Sequence, residues 1–516
     1  MALAPSLAIA ADQVKVSGGI VEGTTGKTAG VRAFLGIPYA APPVGGLRWK
    51  APQPVPGWSG VQKADHFGAH CMQANVFGDM VFKDAGMSED CLQLNVWTPA
   101  KSAHEKLPVM VWIYGGGFQA GATSEPRQNG EVLAKKGVVV VSMNYRLGIF
   151  GFYSHPELTK ESGHHASGNS GLMDQLEALR WVRQNIAAFG GDPGKVTIFG
   201  ESAGSFAVCA QMASPLAHGL FERAIGESGA FFSSTLAAKS LDKTERDGVT
   251  FATSQKANSL AEMRAIPAEA LLKAVHASGD FKFGPNIDGY FLPASAAEIY
   301  AAGKQSHVPL LAGWNAQEMS YPPIMAKITA EKFRAQIHEK FPQDEATVLK
   351  LYAAGSDEEA LASAIDLSSD QFIDFGTWKW VEMQRQTGGK PVYEYIFGRV
   401  RPTAPEKKVN GFPEYLFGAV HASEIEYVFG TLDSLQGYTW QPEDYKLSEL
   451  MQTYWSNFAK TGDPSGPGVP KWPPSDSQDG YAVMHLDVDA HSAPAVHRDR
   501  YEFLDAHSAK TAKPVE

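Results

Sequence analysis

Ser202 sits in "VTIFGESAGSFAV", between an apolar β-type run and an apolar helical run, with Gly200 and Gly204 two residues to either side. This is G-x-S-x-G in a strand–turn–helix setting. The two glycines remove side chains that would clash in so sharp a turn, and the serine hydroxyl is presented at its tip. The helix that follows directs free N–H groups and its positive dipole end at charge developing beside that hydroxyl. Such a turn suits nucleophilic attack on a carbonyl, which requires a base for the serine proton and donors for the resulting oxyanion. "YGGGF" (114–118) ends an earlier apolar run, and its backbone can turn N–H groups into a pocket. Nine histidines follow Ser202, and local pattern does not choose among them. His421 lies after a Gly-Ala loop in "GAVHASEIEYVFG"; Glu318, in "LLAGWNAQEMS", lies just past an apolar strand, where active-site loops of α/β sheets gather. Each also reads as an ordinary polar side chain satisfied by its neighbours.

The elements that must position these groups alternate along the chain. "LPVMVWIYGGGF" (107–118) and "GVVVVSMNYRLG" (137–148) are β-branched runs ending in turns, as expected for strands buried on both faces of a mostly parallel sheet. Leu172, Leu176, Leu179, Val182 and Ile186 recur at helical spacing, which predicts a helix over 171–189 that "GGDPGK" stops. Further strands are expected at 222–228, 308–315 and 391–398. Alternating strands and helices indicate an α/β fold with a large central sheet flanked by helices. The stretch 325–390 is rich in helix formers and charge, and is expected as a helical insertion or subdomain near the sheet's C-terminal edge.

The 516 residues include 44% hydrophobic and 11% aromatic side chains, enough for a sizeable core. A net charge of −11 argues against a nucleic-acid partner. No apolar run reaches the roughly 18–20 residues of a membrane span. Residues 1–11 carry a small-residue Ala-x-Ala pattern near Ala10, and read either as the tail of a signal peptide or as a frayed terminus. Residues 12–516 are expected as one catalytic domain. Cys71 and Cys91 could close a loop as a disulfide in an exported protein, leaving Cys209 unpaired; spacing alone leaves that open. There is no Cys-x-x-Cys or His-Glu-x-x-His, the His164-His165 pair reads as exposed loop, and no metal site is expected.

Long, specific segments resemble the type-B carboxylesterase family, which also holds cholinesterases, bile-salt-type lipases and bacterial p-nitrobenzyl esterases. They include "FLGIPYAAPPVGGLRW" (34–49), "SEDCLQLNVWTP" (88–99), "NYRLGIFGF" (144–152), the whole of 168–204, "GAVHASEIEYVFG" (418–430) and "YWSNFAKTGDP" (454–464). The resemblance covers nearly the whole chain and implies an α/β-hydrolase fold, whose order of serine, acid and histidine this chain keeps. Carried over by position, it implies Ser202 as nucleophile, His421 as base and then acid, and Glu318 as the carboxylate orienting His421. The oxyanion hole would be the N–H groups of Gly116, Gly117 and Ala203. Ser228 and Glu201 would stand close behind the triad, Cys71 would pair with Cys91, and Arg48–Glu89 and Arg146–Asp174 would form structural ion pairs. Phe281 and Phe283 match phenylalanines that narrow the acyl pocket, and Phe118, Phe231 and Phe232 are further candidates to line it. The chain departs from the family at Tyr114, where histidine is usual. The loop 72–90 has no tryptophan, only Phe77 and Phe82, which disfavours capture of a quaternary ammonium.

The expected protein is a serine carboxylesterase that works through an acyl-enzyme, needs no cofactor and takes a small-molecule ester. A secreted or periplasmic location and a monomeric state are favoured. The alternatives are a lipase for long acyl chains and a non-catalytic relative; retention of Ser202, Glu318 and His421 together argues against the latter.

Overall fold

The computed structural model describes residues 12–279, 283–404, 406–476 and 481–511. The segment 1–11 and Phe281 therefore lie outside the described residues. Eleven strands form one sheet: β1 (Thr24–Thr25), β2 (Arg32–Pro38), β3 (Gln93–Thr98), β4 (Leu107–Ile113), β5 (Val139–Met143), β6 (Gly191–Glu201), β7 (Arg223–Glu227), β8 (Leu310–Asn315), β9 (Val392–Phe397), β10 (Ala482–Leu486) and β11 (His491–Pro494). Their spatial order is β11-β10-β9-β8-β7-β6-β4-β5-β3-β2-β1. From β5 across to β10 every neighbouring pair is parallel, and antiparallel strands close both edges.

Four helices matter most for the site: α1 (Ser170–Asn185), α2 (Ala203–Ala213), α3 (Phe375–Thr387) and α4 (Pro442–Thr461). The predicted strands at 222–228, 308–315 and 391–398 form as β7, β8 and β9. Leu172, Leu176, Leu179 and Val182 are buried along α1 as their spacing requires. The chain after α1 differs from the sequence reading. A 3-10 turn (Ile186–Phe189) intervenes, and β6 starts at Gly191, ahead of the Asp-Pro-Gly that was expected to lie outside any strand. The extra residues bulge out between the Gly191 and Val196 pairings with β4, and the Asp192 carboxylate accepts from the Gly194 N–H at 2.9 Å to close the bulge.

Alternate residues of a strand face opposite sides of a sheet, and both sides here are covered. A Cβ on Gly226 would lie 2.2 Å from the Trp380 ring of α3, whereas the next residue, Glu227, accepts from the Trp455 indole of α4 at 2.8 Å. Likewise Gly200 faces Gly204 of α2, while Phe199 stacks on Phe429 with ring centroids 5.7 Å apart. This two-sided burial is why the strand segments read as unbroken apolar runs.

Most of 321–387 is helical, with short connections near 326–329, 341–344 and 352–356. Helices at Ala330–Lys340, Glu345–Leu351 and Asp357–Ser369 enclose a cluster of their own, including Phe333, Ile337, Phe341, Val348, Tyr352 and Leu367. The last of them runs through a π-helical turn (Asp370–Asp374) into α3, which packs on β8 and β9.

Candidate active site

Strand β6 delivers Ser202, and α2 begins immediately after it. Ser202 has φ 54° and ψ −125°, a conformation that non-glycine residues rarely adopt and that is held only by strong surrounding constraints. The constraints are visible. Its N–H donates to the Glu227 carbonyl of β7 at 2.8 Å, and its carbonyl accepts from Phe206 N at 2.9 Å. A Cβ on Gly204 would lie 1.9 Å from the Ile113 carbonyl oxygen, and one on Gly200 would lie 2.6 Å from both that oxygen and the Gly204 carbonyl carbon. Both glycines are thus required by contact between α2 and the end of β4.

The residues Glu318 and His421 come from loops after β8 and β9, and meet beside the serine. His421 Nε2 is 2.8 Å from Ser202 Oγ, and its Nδ1 is 2.6 Å from Glu318 Oε2. In the neutral ring, pairing with a carboxylate assigns the proton to Nδ1, leaving Nε2 to accept from the serine hydroxyl. The other Glu318 oxygen accepts from Ser228 Oγ at 2.6 Å and from Asn315 N at 2.7 Å. Ser228 itself has φ 57° and is tied by its N–H to the Gly313 carbonyl at 2.8 Å.

The two loops are locked to each other. Gln317 N donates to the Ala419 carbonyl at 3.0 Å, and Ala419 N donates to Gln317 Oε1 at 2.8 Å. Asn315 Nδ2 reaches the Val420 carbonyl at 2.8 Å, and Ser320 Oγ the Phe417 carbonyl at 2.6 Å. From the helical side, the Phe372 ring on the π-helical turn meets the His421 ring edge-on at 5.2 Å. Sequence reasoning missed Asn315, Gln317 and Phe372. Only their nearness to strand ends and to the histidine loop, which no local pattern reveals, marks them out.

Gly116, Gly117 and Phe118 all have positive φ (101°, 63° and 59°), so the chain after β4 curls back on itself. Among the described residues, the N–H groups of Gly116, Gly117 and Ala203 donate to no acceptor of the protein. Ala203 is the first residue of α2, whose N–H has no intrahelical partner. A Cβ on Gly115 would lie 2.9 Å from Ser202 Cβ, so the glycine loop passes directly against the serine.

The site is strongly acidic beneath the triad. Glu201 is buried, with Oε1 3.3 Å from His421 Nε2. Burial alone would push the His421 pKa down, but the carboxylates of Glu201 and Glu318 outweigh it and hold it at about 9. Burial raises the Glu201 carboxyl to about 8, against the pull of His421. Two further buried acids stand behind. Glu424 is pushed up to about 7 by burial and the Glu318 charge, and Glu227 is raised by burial and Glu424. Neither was singled out from sequence.

Of the pocket candidates, Phe118 stacks parallel to Phe231 at 6.3 Å, and Phe231 meets Phe206 at 5.1 Å. Phe232 packs instead on Tyr300. Phe283 contacts Tyr153 and Phe251 and, with Phe118, lines a cavity beside the glycine loop. Cys71 and Cys91 are joined in a disulfide with Cα atoms 5.1 Å apart, and Cys209 is a buried free thiol. Arg48 grips Glu89 with two bonds of 2.6 Å, and Arg146 grips Asp174 with two of 2.7 Å.

A mostly parallel sheet that presents a serine on a strained strand–helix turn, facing a histidine and a carboxylate, defines the class: an α/β hydrolase. The model of the Carboxylesterase family matches residues 10–504, and the chain belongs to that family. It is 36% identical over 470 residues to a fumonisin B1 esterase of Sphingopyxis macrogoltabida, covering 88% of this chain and 83% of that protein. It is 36% identical over 497 residues to liver carboxylesterase 1 of Oryctolagus cuniculus (87% and 85% covered), and 34% identical over 501 residues to a cocaine esterase of Homo sapiens (92% and 87%). The protein is a carboxylic ester hydrolase. Among the described residues, no helix is long and apolar enough to cross a membrane.

Proposed function

We propose that the protein hydrolyses carboxylic esters through an acyl-enzyme on Ser202, with His421 as base and acid and Glu318 as its orienting carboxylate. One observation carries this reading: a single imidazole ring lies 2.8 Å from the serine oxygen at Nε2 and 2.6 Å from a carboxylate at Nδ1. Ser202 Oγ attacks the ester carbonyl carbon as His421 Nε2 takes its proton. The carbonyl π electrons become an oxyanion, held by the N–H groups of Gly116, Gly117 and Ala203. Collapse breaks the bond to the alkoxide, which leaves with the proton from Nε2. Water then gives a proton to Nε2 as its oxygen attacks the acyl carbon, and Ser202 departs with that proton. Throughout, Glu318 accepts from Ser228 and Asn315, which hold it against Nδ1 as it steadies the imidazolium.

The test is hydrolysis of p-nitrophenyl butyrate by wild type and Ser202→Ala. A triad acting as a unit predicts a loss of about 10⁵–10⁶ in kcat; a variant as fast as wild type would sink the assignment. We also infer a secreted or periplasmic location, which the Cys71–Cys91 bond supports because such bonds persist in oxidising compartments. Finding the protein in the cytosolic fraction of its native cells, with both thiols titratable, would overturn that.

A further inference from the structure

Beside the glycine loop opens a cavity of about 570 Å³, lined among others by Gly117 and Phe118, by Phe152 and Phe283, and by Lys239, Lys243 and Asp247. Lys239 belongs to a two-residue strand that pairs with Asn286–Ile287. Lys243 lies in the first turn of the helix Leu241–Ser254. Both ammonium groups share a single carboxylate: Lys243 is hydrogen-bonded to Asp247, whereas Lys239 stands 3.7 Å from its other oxygen. Among the described lining residues, two positive charges against one negative leave a net positive charge, in a chain whose overall charge is −11. Both lysines are about half exposed, so an incoming anion meets them without first stripping a buried pair.

A concave site focuses the field of the charges that line it. This cavity joins the loop that would hold an ester carbonyl to an ammonium pair that is not fully neutralised, and Phe152 and Phe283 share its lining. We propose that Lys239 and Lys243 form an anion-recognising subsite that selects esters carrying a second carboxylate on the acyl or alcohol part. Lys239 is the readier partner because its contact with Asp247 is the looser one. The proposal rests on the serine-esterase reading above and names a substrate class for it.

The test compares kcat/KM for three esters: neutral p-nitrophenyl butyrate, mono-p-nitrophenyl glutarate with the carboxylate on the acyl side, and the butyryl ester of 4-hydroxybenzoate with it on the alcohol side. In the double variant Lys239→Gln/Lys243→Gln, one anionic-to-neutral ratio should fall about three- to tenfold, the size expected for partly exposed ion pairs. Which ratio falls identifies the side of the ester that enters the cavity. Asp247→Asn should raise the same ratio, because it removes the competing carboxylate; a purely structural cluster would respond in the same direction to both variants. The wild-type preference should also shrink between 20 mM and 500 mM salt as screening shortens. Unchanged ratios in the double variant, or a lowered ratio in Asp247→Asn, would overturn the subsite while leaving the esterase intact. A wild type that hydrolyses none of the three esters would overturn both readings, and Ser202→Ala measured alongside tells these failures apart.

Discussion

Gly204→Ala tests how tightly the nucleophile turn is coupled to the oxyanion loop. The added methyl would sit 1.9 Å from the Ile113 carbonyl oxygen and 3.0 Å from the Tyr114 carbonyl carbon, both backbone atoms at the end of β4. The first contact is about 1.5 Å inside ordinary van der Waals distance, and no side chain can rotate to relieve it. The turn must move away from β4, carrying Ser202 and Ala203 away from Gly116 and Gly117, which lie three and four residues past the end of β4. A displacement near 1 Å costs about 10² in rate for positioned groups, and overpacking costs about 1–3 kcal/mol of stability. The expected outcome is a folded protein with a modestly lowered Tm and kcat on p-nitrophenyl acetate down about 10²-fold. Burst titration with an active-site phosphonate, alongside circular dichroism, separates misplacement from unfolding. A folded variant with kcat within threefold of wild type would falsify the claim that this contact sets the geometry of the hole.

Three further outcomes are expected. In the proposed mechanism His421 must be neutral to accept the serine proton, so activity should rise with pH as the imidazolium, held at about 9, loses its proton; Glu201→Gln removes the carboxyl group 3.3 Å away and should move the acid limb of kcat/KM down by about 1–3 pH units. An unmoved or upward-shifted limb would contradict this account. Reducing Cys71–Cys91, which are separated by 20 positions, should cost about 3 kcal/mol from loop entropy, read as a lower denaturant midpoint; an unchanged midpoint would show that the unfolded loop is already constrained. Ser228→Ala removes one of the donors to Glu318, and should lower kcat by about tenfold or less while KM stays near its original value. A change confined to KM would place Ser228 in substrate binding instead.

Much of the frame was legible because its physics is local. Runs such as 107–113 and 139–143 are buried on both faces, so β-branched residues fill them without interruption, and α1 shows its apolar stripe directly. The turn at Ser202 was legible for the same reason: glycines two residues to either side of a serine, between an apolar strand and an apolar helix, mark a sharp strand–helix junction. The start of β6 was not, since Asp192 and Gly194 read as chain-breaking turn residues, yet the sheet accommodates them as a bulge between two paired segments. For Phe231 and Phe232, identical and adjacent, only packing separates the one beside Phe118 from the one against Tyr300.

The sequence by itself determined the strand–turn–helix that offers a hydroxyl, a glycine loop whose backbone can turn its N–H groups into a pocket, and the alternation that builds a parallel sheet. Family resemblance pointed to Glu318 and His421, whereas the residues alone left them among many polar candidates. Tertiary structure decided which groups meet. Glu318 and His421 are 103 positions apart and come together because β8 and β9 are parallel neighbours whose C-terminal loops clasp through Asn315, Gln317 and Ser320. The acids Glu201, Glu227 and Glu424 gather from three separate segments, and burial gives them properties that no sequence window carries. Lys239 and Lys243 flank a cavity wall only once the strand from 239 to 240 pairs with 286–287 and the helix that follows it is seated alongside. Contacts of this kind depend on loop closure and burial, which belong to the folded chain as a whole.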